Sequence, residues 1–144
     1  MELFRVESGP RIALVHRIHV PEKYNSFSAT CGSDTLVAMT YPSPDQSVHV
    51  HRLRGDLLEE LARIQFHFLD SLLWLADRLL VVEYDDHKKS NSVIELEVSD
   101  TRLECRRQHI DNSENIRVSR FCALNDGLAI FDYNTREILL YSFV

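Results

Sequence analysis

Three stretches of this chain share one grammar: Asp34-Thr-Leu-Val-Ala-Met-Thr-Tyr41, Asp77-Arg-Leu-Leu-Val-Val-Glu-Tyr84 and Asp126-Gly-Leu-Ala-Ile-Phe-Asp-Tyr133. Each reads Asp, any residue, Leu, three mostly apolar residues, any residue, Tyr, and the Asp-to-Asp separations are 43 and 49 residues. A period of about 40 to 50 residues belongs to architectures in which one supersecondary unit recurs and buries its apolar face only by stacking on its neighbours. The sequence is therefore read first as a repeat protein.

The segments between these landmarks alternate as strands do. Ile12, Leu14, Ile18 and Val20 fall at even spacing, as do Val48 and Val50 opposite His49 and His51, the period of two that sorts side chains onto the faces of a pleated strand. Val93 to Val98 alternates in the same way, and Leu103 to Ile110 supplies an arginine-rich outer strand. Ser8-Gly9-Pro10, Pro21 to Ser26, Tyr41 to Gln46, Arg54-Gly-Asp56, Asp111 to Asn115 and Asn125-Asp-Gly127 punctuate the pattern, with turn residues that favour tight bends. Asp85 to Asn91 is all polar, so an exposed loop is expected there.

Leu57 to Leu79 reads two ways. Leu57, Leu61, Ile64, Phe68, Leu72, Leu75 and Leu79 recur every three or four residues, which suits an amphipathic helix. Yet Ser71 to Asp77 aligns with Ser28 to Asp34 and Arg120 to Asp126, and those copies end in residues a helix would not choose. Strand is the preferred reading, with Glu60 to Phe68 as an outer strand; an α+β domain self-associating through a helix over 57–79 stays open as an alternative. Circular dichroism separates them: a β-type spectrum is expected, and strong helical minima would favour the helix.

With the strands of a unit lettered a to d, the order along the chain is c, d, then a to d twice, then a, b, c. The c strands end at Val6, Leu53, Val98 and Phe143, at intervals of 47, 45 and 45 residues. On these residues the chain resembles a divergent β-propeller of the WD40-like class, although the Gly-His and Trp-Asp dipeptides of that class are absent. The resemblance implies an all-β fold of antiparallel four-stranded blades around a central channel, about three blades plus a partial blade. A single repeat domain over 1–144 is expected, with a partial blade over 1–20, blades over 27–68 and 70–110, and a partial blade over 116–144. Three blades and a fraction do not close a ring, so the chain is read as a fragment of a larger propeller, as one half of a six-bladed homodimer, or as completed by missing blades from another chain, three readings that the sequence leaves open.

Composition narrows the function classes. Of 144 residues 44% are apolar and 26% charged, an ordinary globular mixture. A formal charge of -6 gives no basic footprint for nucleic acid. No signal peptide and no apolar run of about 20 residues appears, so an intracellular, cytoplasmic or nuclear protein without a membrane partner is expected. Cys31, Cys105 and Cys122 are an odd number without a Cys-x-x-Cys pair, and buried or half-buried reduced thiols on strands are expected.

Candidate chemistry is thin. His49-Val-His51 would present two imidazoles on one half-exposed strand face without a third ligand on it, and Asp85, Asp86 and His87 are not followed by a calcium-loop pattern. Asp34, Asp77 and Asp126 sit where aspartate accepts hydrogen bonds from turn amides, and Tyr41, Tyr84 and Tyr133 suit packing between blades with a wet hydroxyl. Neither a cofactor nor a metal is expected. The favoured function is a non-catalytic protein-protein interaction or scaffold module; a propeller-based hydrolase or lyase is the alternative. A protein or peptide partner is expected on the rim shared by the d-to-a and b-to-c connections, which carry Lys23, Tyr24, Asp85, Asp86, His87, Lys88, Lys89, Asn112, Glu114 and Arg136.

Overall fold

The structure is a computed structural model that describes residues 2–6, 12–17, 26–31, 34–41, 46–75, 77–99, 101–110, 116–124 and 127–142. Among these the chain is all-β, thirteen strands without a helix. A first, two-stranded sheet pairs β1 (Glu2–Val6) with β2 (Ile12–Arg17). The second holds β3 (Ser26–Cys31), β4 (Thr35–Tyr41), β5 (Ser47–Arg54) and β6 (Leu57–Gln65) in that order. A third runs β7 (Leu69–Leu75), β8 (Arg78–Asp85), β9 (Ser90–Val98) and β10 (Leu103–Ile110). The fourth is β11 (Val118–Leu124), β12 (Gly127–Asp132) and β13 (Glu137–Ser142). Every pairing is antiparallel between strands adjacent in sequence.

Residues 57–79 thus hold β6, β7 and the first two residues of β8, and the helical alternative is set aside. The helix-like spacing was never one face: Leu57 is 75% exposed and Phe68 51%, whereas Leu79 is fully buried. Two alternating strands joined by a short connection imitate a period near 3.6 when bulges and a turn shift their phase. Here Val50 and His51 on β5 flank one such shift, and Leu69 and Ser71 on β7 flank another.

The third sheet is the centre of the core. Leu79, Leu80, Val81 and Val82 are all fully buried, because alternate residues of β8 point to opposite faces and both faces are covered. Leu72, Trp74, Leu79, Val81, Leu96 and Leu103 meet Ala38, Val48, Val50 and Ala62 of the second sheet. On the opposite side Leu80, Val82, Val93 and Ile110 meet Ile116, Val118, Leu128 and Ile130. Across the sheets, β3 and β4 contact β7, β11 contacts β7, and β6 contacts β10.

Paired positions recur with the sheets. Val37 pairs with His51, Leu79 with Leu96 and Leu128 with Tyr141, which sets the third-strand partners 45 residues apart each time. This match by ladder and face differs by one residue from the match by aspartate in the first copy. Aligned on Asp34 and Asp77, Ala38 would equal Val81, yet Ala38 faces the third sheet while Val81 faces the second. Three residues separate Cys31 from Thr35 but only two separate Leu75 from Arg78. The longer turn accompanies a slip of one residue, which moves every side chain to the other face.

Two expectations need correction. His49 and His51 are buried, 7% and 6% exposed, rather than half-exposed. His49 Nδ1–H donates to Glu60 Oε2 at 3.1 Å, and His51 Nε2 lies 3.8 Å from the same oxygen. Partial burial pushes the Glu60 carboxyl up, but the His49 hydrogen bond and the charges of His49, His51 and Arg63 outweigh it and hold it below the usual range. The exposed loop over Asp85–Asn91 shrinks to 86–89, since Ser90 and Asn91 are buried members of β9. The buried Glu95, 3% exposed, is met by His109 Nε2 at 2.7 Å, Arg106 Nη1 at 3.4 Å and Arg78 Nη1 at 3.7 Å, the compensation that a buried carboxylate requires.

Gly127 opens β12 opposite Ser142, where an added Cβ would fall on the Tyr141 carbonyl. Gly127→Ala must push two backbones apart. It is expected to cost about 1–3 kcal/mol, measured as a lower urea midpoint at unchanged slope.

Candidate functional site

One end of the sheets gathers the connections that lead from one sheet to the next and the turns between second and third strands. It is held by a bond made twice. Gln46 Oε1 accepts the N–H of Leu69, the first residue of β7, and Asn91 Oδ1 accepts the N–H of Val118, the first residue of β11, at 2.7 Å. Gln46 and Asn91 are 45 residues apart and each precedes a serine, Ser47 and Ser92. In both cases a side-chain amide satisfies a strand-opening N–H that the ladder leaves over. Asn91 also donates its own N–H to the Ile116 carbonyl at 2.7 Å.

A second bond is likewise made twice. Tyr84 N–H donates to the Phe68 carbonyl, and Tyr133 N–H to the Arg117 carbonyl, each at 2.8 Å. These bonds bring the ends of β8 and β12 to the connections that enter β7 and β11. They also fix Phe68 and Arg117, which point outward from the ends of an otherwise rigid stack. Phe68 is 51% and Tyr133 52% exposed, and the Arg117 guanidinium lies 5.0 Å from the Tyr133 ring centroid, a cation–π contact.

Two clefts open here and share Phe68 and Tyr84 as a wall. The larger, about 580 Å³, is lined by Gln46, Phe68, Asp70, Tyr84, Arg117 and Tyr133 among others. The smaller, about 440 Å³, lies between Phe68, Tyr84, Glu83, Asp85, Asp86 and His87. Its floor is acidic. Asp85 Oδ1 accepts the N–H groups of His87 and Lys88 at 2.9 and 3.0 Å, and the Lys88 amide is the main cause that holds its carboxyl below the ordinary range. Asp86 is held low chiefly by the Lys89 ammonium, 2.6 Å away. Both carboxylates therefore stay charged into mildly acidic solution.

Of the residues expected on this rim, Asp85, Asp86, His87, Lys88 and Lys89 lie together in the β8–β9 turn, and Arg136 ends the β12–β13 turn. Lys89 and Arg136 adopt left-handed backbone, φ 55° and 61°, the conformation that lets each turn close onto its third strand. Lys23, Tyr24, Asn112 and Glu114 lie outside the described residues. Sequence reasoning missed Phe68, Arg117, Gln46 and Asn91. A signal existed for the last two, an amide before serine at a 45-residue interval, whereas Phe68 was absorbed into the apparent helical stripe.

Among the described residues no group of three or more His, Cys, Asp and Glu is placed to hold a metal ion. Likewise no helix of the described residues is long and apolar enough to cross a membrane. Cys105 and Cys122 are free and lie on strands, but they are exposed and not buried or half-buried as expected. No protein-family model matches the sequence, and no curated protein matches it.

Asp132 anchors the Arg117 side of the larger cleft. Its Oδ1 accepts the N–H groups of Arg117 and Asn134 at 2.9 and 3.0 Å, and Thr135 Oγ1 donates to Oδ2 at 3.0 Å. Burial alone would push the carboxyl up; these hydrogen bonds outweigh it and lower it from 3.8. A depressed folded value means stability that is full above the unfolded value and lost as pH falls through the lower folded one. Asp132→Ala is expected to cost about 1–3 kcal/mol at neutral pH. In urea titrations its deficit against the wild type should shrink as the pH drops below 3.8.

Proposed function

We propose that this chain is a non-catalytic interaction module of propeller-type sheets, and that a protein or peptide partner binds in the clefts around Phe68. Support for the propeller reading is the neighbourhood of the sheets. First strands lie near first strands, β3 and β11 both beside β7, and the last strands β6 and β10 adjoin. That is how meander sheets arranged about an axis meet. The two amide bonds of Gln46 and Asn91 join consecutive sheets in the same manner, and the 45-residue spacing of the third strands adds to it.

The observation that carries the functional reading is the pair of half-exposed aromatics, Phe68 and Tyr133, set beside Arg117 and an ionised acidic turn. Exposed aromatic and arginine side chains on a rigid frame are the groups that dominate interface energies. Between Phe68 and Tyr84, with Glu83, Asp85 and Asp86 below, a cation finds aromatic faces and opposite charge together. A lysine or arginine of the partner fits that smaller cleft.

A random peptide-display library panned on the immobilised protein tests this. Lys- or Arg-bearing peptides are expected to be enriched, and Phe68→Ala or Asp86→Lys should weaken them by about tenfold or more. Lys88→Glu with Lys89→Glu alters the charge of the same turn and should alter affinity as well. Leu57, 75% exposed on β6, opens that strand at the opposite end of the sheet, and Leu57→Ala should change nothing. Equal loss at Leu57, or affinity indifferent to all the rim substitutions, would overturn the reading.

A further inference from the structure

The two clefts at the rim differ in charge on either side of one wall. Phe68 and Tyr84 line both, and the bond from the Tyr84 N–H to the Phe68 carbonyl, 2.8 Å, fixes the two backbones against each other. On the smaller side stand Glu83, Asp85 and Asp86. On the larger side stands Arg117. A basic side chain of the partner suits the acidic side, which leaves the cationic side unassigned.

Arg117 presents unused donors on a fixed backbone. Its N–H donates to Asp132 Oδ1 at 2.9 Å, and its carbonyl accepts the Tyr133 N–H at 2.8 Å. Its guanidinium lies 5.0 Å from the Tyr133 ring centroid. A planar guanidinium packed on an aromatic ring keeps the N–H donors of its edge for an acceptor in its own plane. Arg52, Arg54, Arg78, Arg102 and Arg106 each pair with a carboxylate at 3.2 to 3.7 Å. Arg117 forms no ion pair among the described residues, and Asp70, the carboxylate that lines the same cleft, has an interaction of its own elsewhere.

The wall also sets a distance. Because the same two side chains line both clefts, the divide between them is one ring thick. A ligand atom packs about 3.5 Å from a ring, so groups on its two sides stand about 7 Å apart. Side chains two residues apart on an extended chain point the same way and lie about 6.6 Å apart. An extended peptide that crosses the wall therefore drops alternate side chains into the two clefts. A carboxylate placed at that spacing from the basic residue meets Arg117 in a charge-assisted, two-pronged hydrogen bond.

We infer that the partner is an extended peptide segment carrying a basic and an acidic residue separated by one position, the basic side chain in the smaller cleft and the acidic side chain against Arg117. The anion is an aspartate or glutamate within the segment, since the larger cleft runs on from Arg117 to Val118 and Gln46 and leaves the chain room to continue. This inference rests on the interaction-module reading and adds the sequence that such a module selects.

Random peptides displayed as internal segments, without a free terminal carboxylate, are panned on the wild type, on Arg117→Glu and on Arg117→Gln. The wild type should enrich an acidic residue two positions from the enriched Lys or Arg. Arg117→Glu should exchange that acidic residue for a basic one. Arg117→Gln should abolish the preference there while the Lys or Arg of the smaller cleft stays enriched, and it decides the matter if the charge reversal unfolds the chain. Two amidated synthetic peptides that differ only by Glu or Lys at that position should differ about tenfold in Kd on the wild type, in favour of Glu. Basic residues enriched without an acidic residue at that spacing, or a preference unmoved by both Arg117 variants, would overturn this inference and leave the interaction reading standing. Failure to enrich Lys or Arg at all would overturn both.

Discussion

Everything in this structure depends on the third sheet being dry on both sides. A sheet with one wet face alternates apolar and polar residues, but β8 reads Leu79-Leu80-Val81-Val82 because neither of its faces meets water. Each face then requires a partner sheet with complementary apolar positions, which β4 to β6 supply on one side and β11 to β13 on the other. The polar residues inside this stack are held accordingly. Glu95 is buried among His109, Arg106 and Arg78, and the His49, His51 and Glu60 group occupies the far face of the second sheet.

Stacked sheets leave their function to their ends. Strand interiors are committed to ladders and burial, so the side chains free to meet another molecule are those of turns and connections. The amides of Gln46 and Asn91 and the backbone bonds of Tyr84 and Tyr133 make one such end rigid. Rigid support lowers the entropy lost when Phe68, Tyr133 and Arg117 engage a partner. The clefts between them are therefore set by the same bonds that join sheet to sheet.

The all-β class and most strand positions were legible in the sequence, because alternation and turn residues act locally and survive without knowledge of the rest of the chain. That Asp85 to Lys89 lie at a turn was legible for the same reason, as a polar run between two apolar strands. What failed was every inference that needed to know which side of a strand would be covered. His49 and His51 alternate with valines as solvent-facing residues do, and they are buried. Ser90 and Asn91 belong to a polar run, yet one is inside a ladder and the other ties two sheets together.

By itself the sequence determined the all-β class, the approximate positions of most strands and their roughly regular recurrence, while over 57–79 it left strand preferred and helix open. Only the tertiary structure decided the phase. A turn between β3 and β4 one residue longer than that between β7 and β8 goes with exchanged faces in the second sheet, so residues aligned by the Asp and Tyr landmarks do not occupy equivalent surroundings. The reason is that period two is blind to which face is which. That choice is made by contacts between sheets whose residues lie about 45 positions apart in the chain.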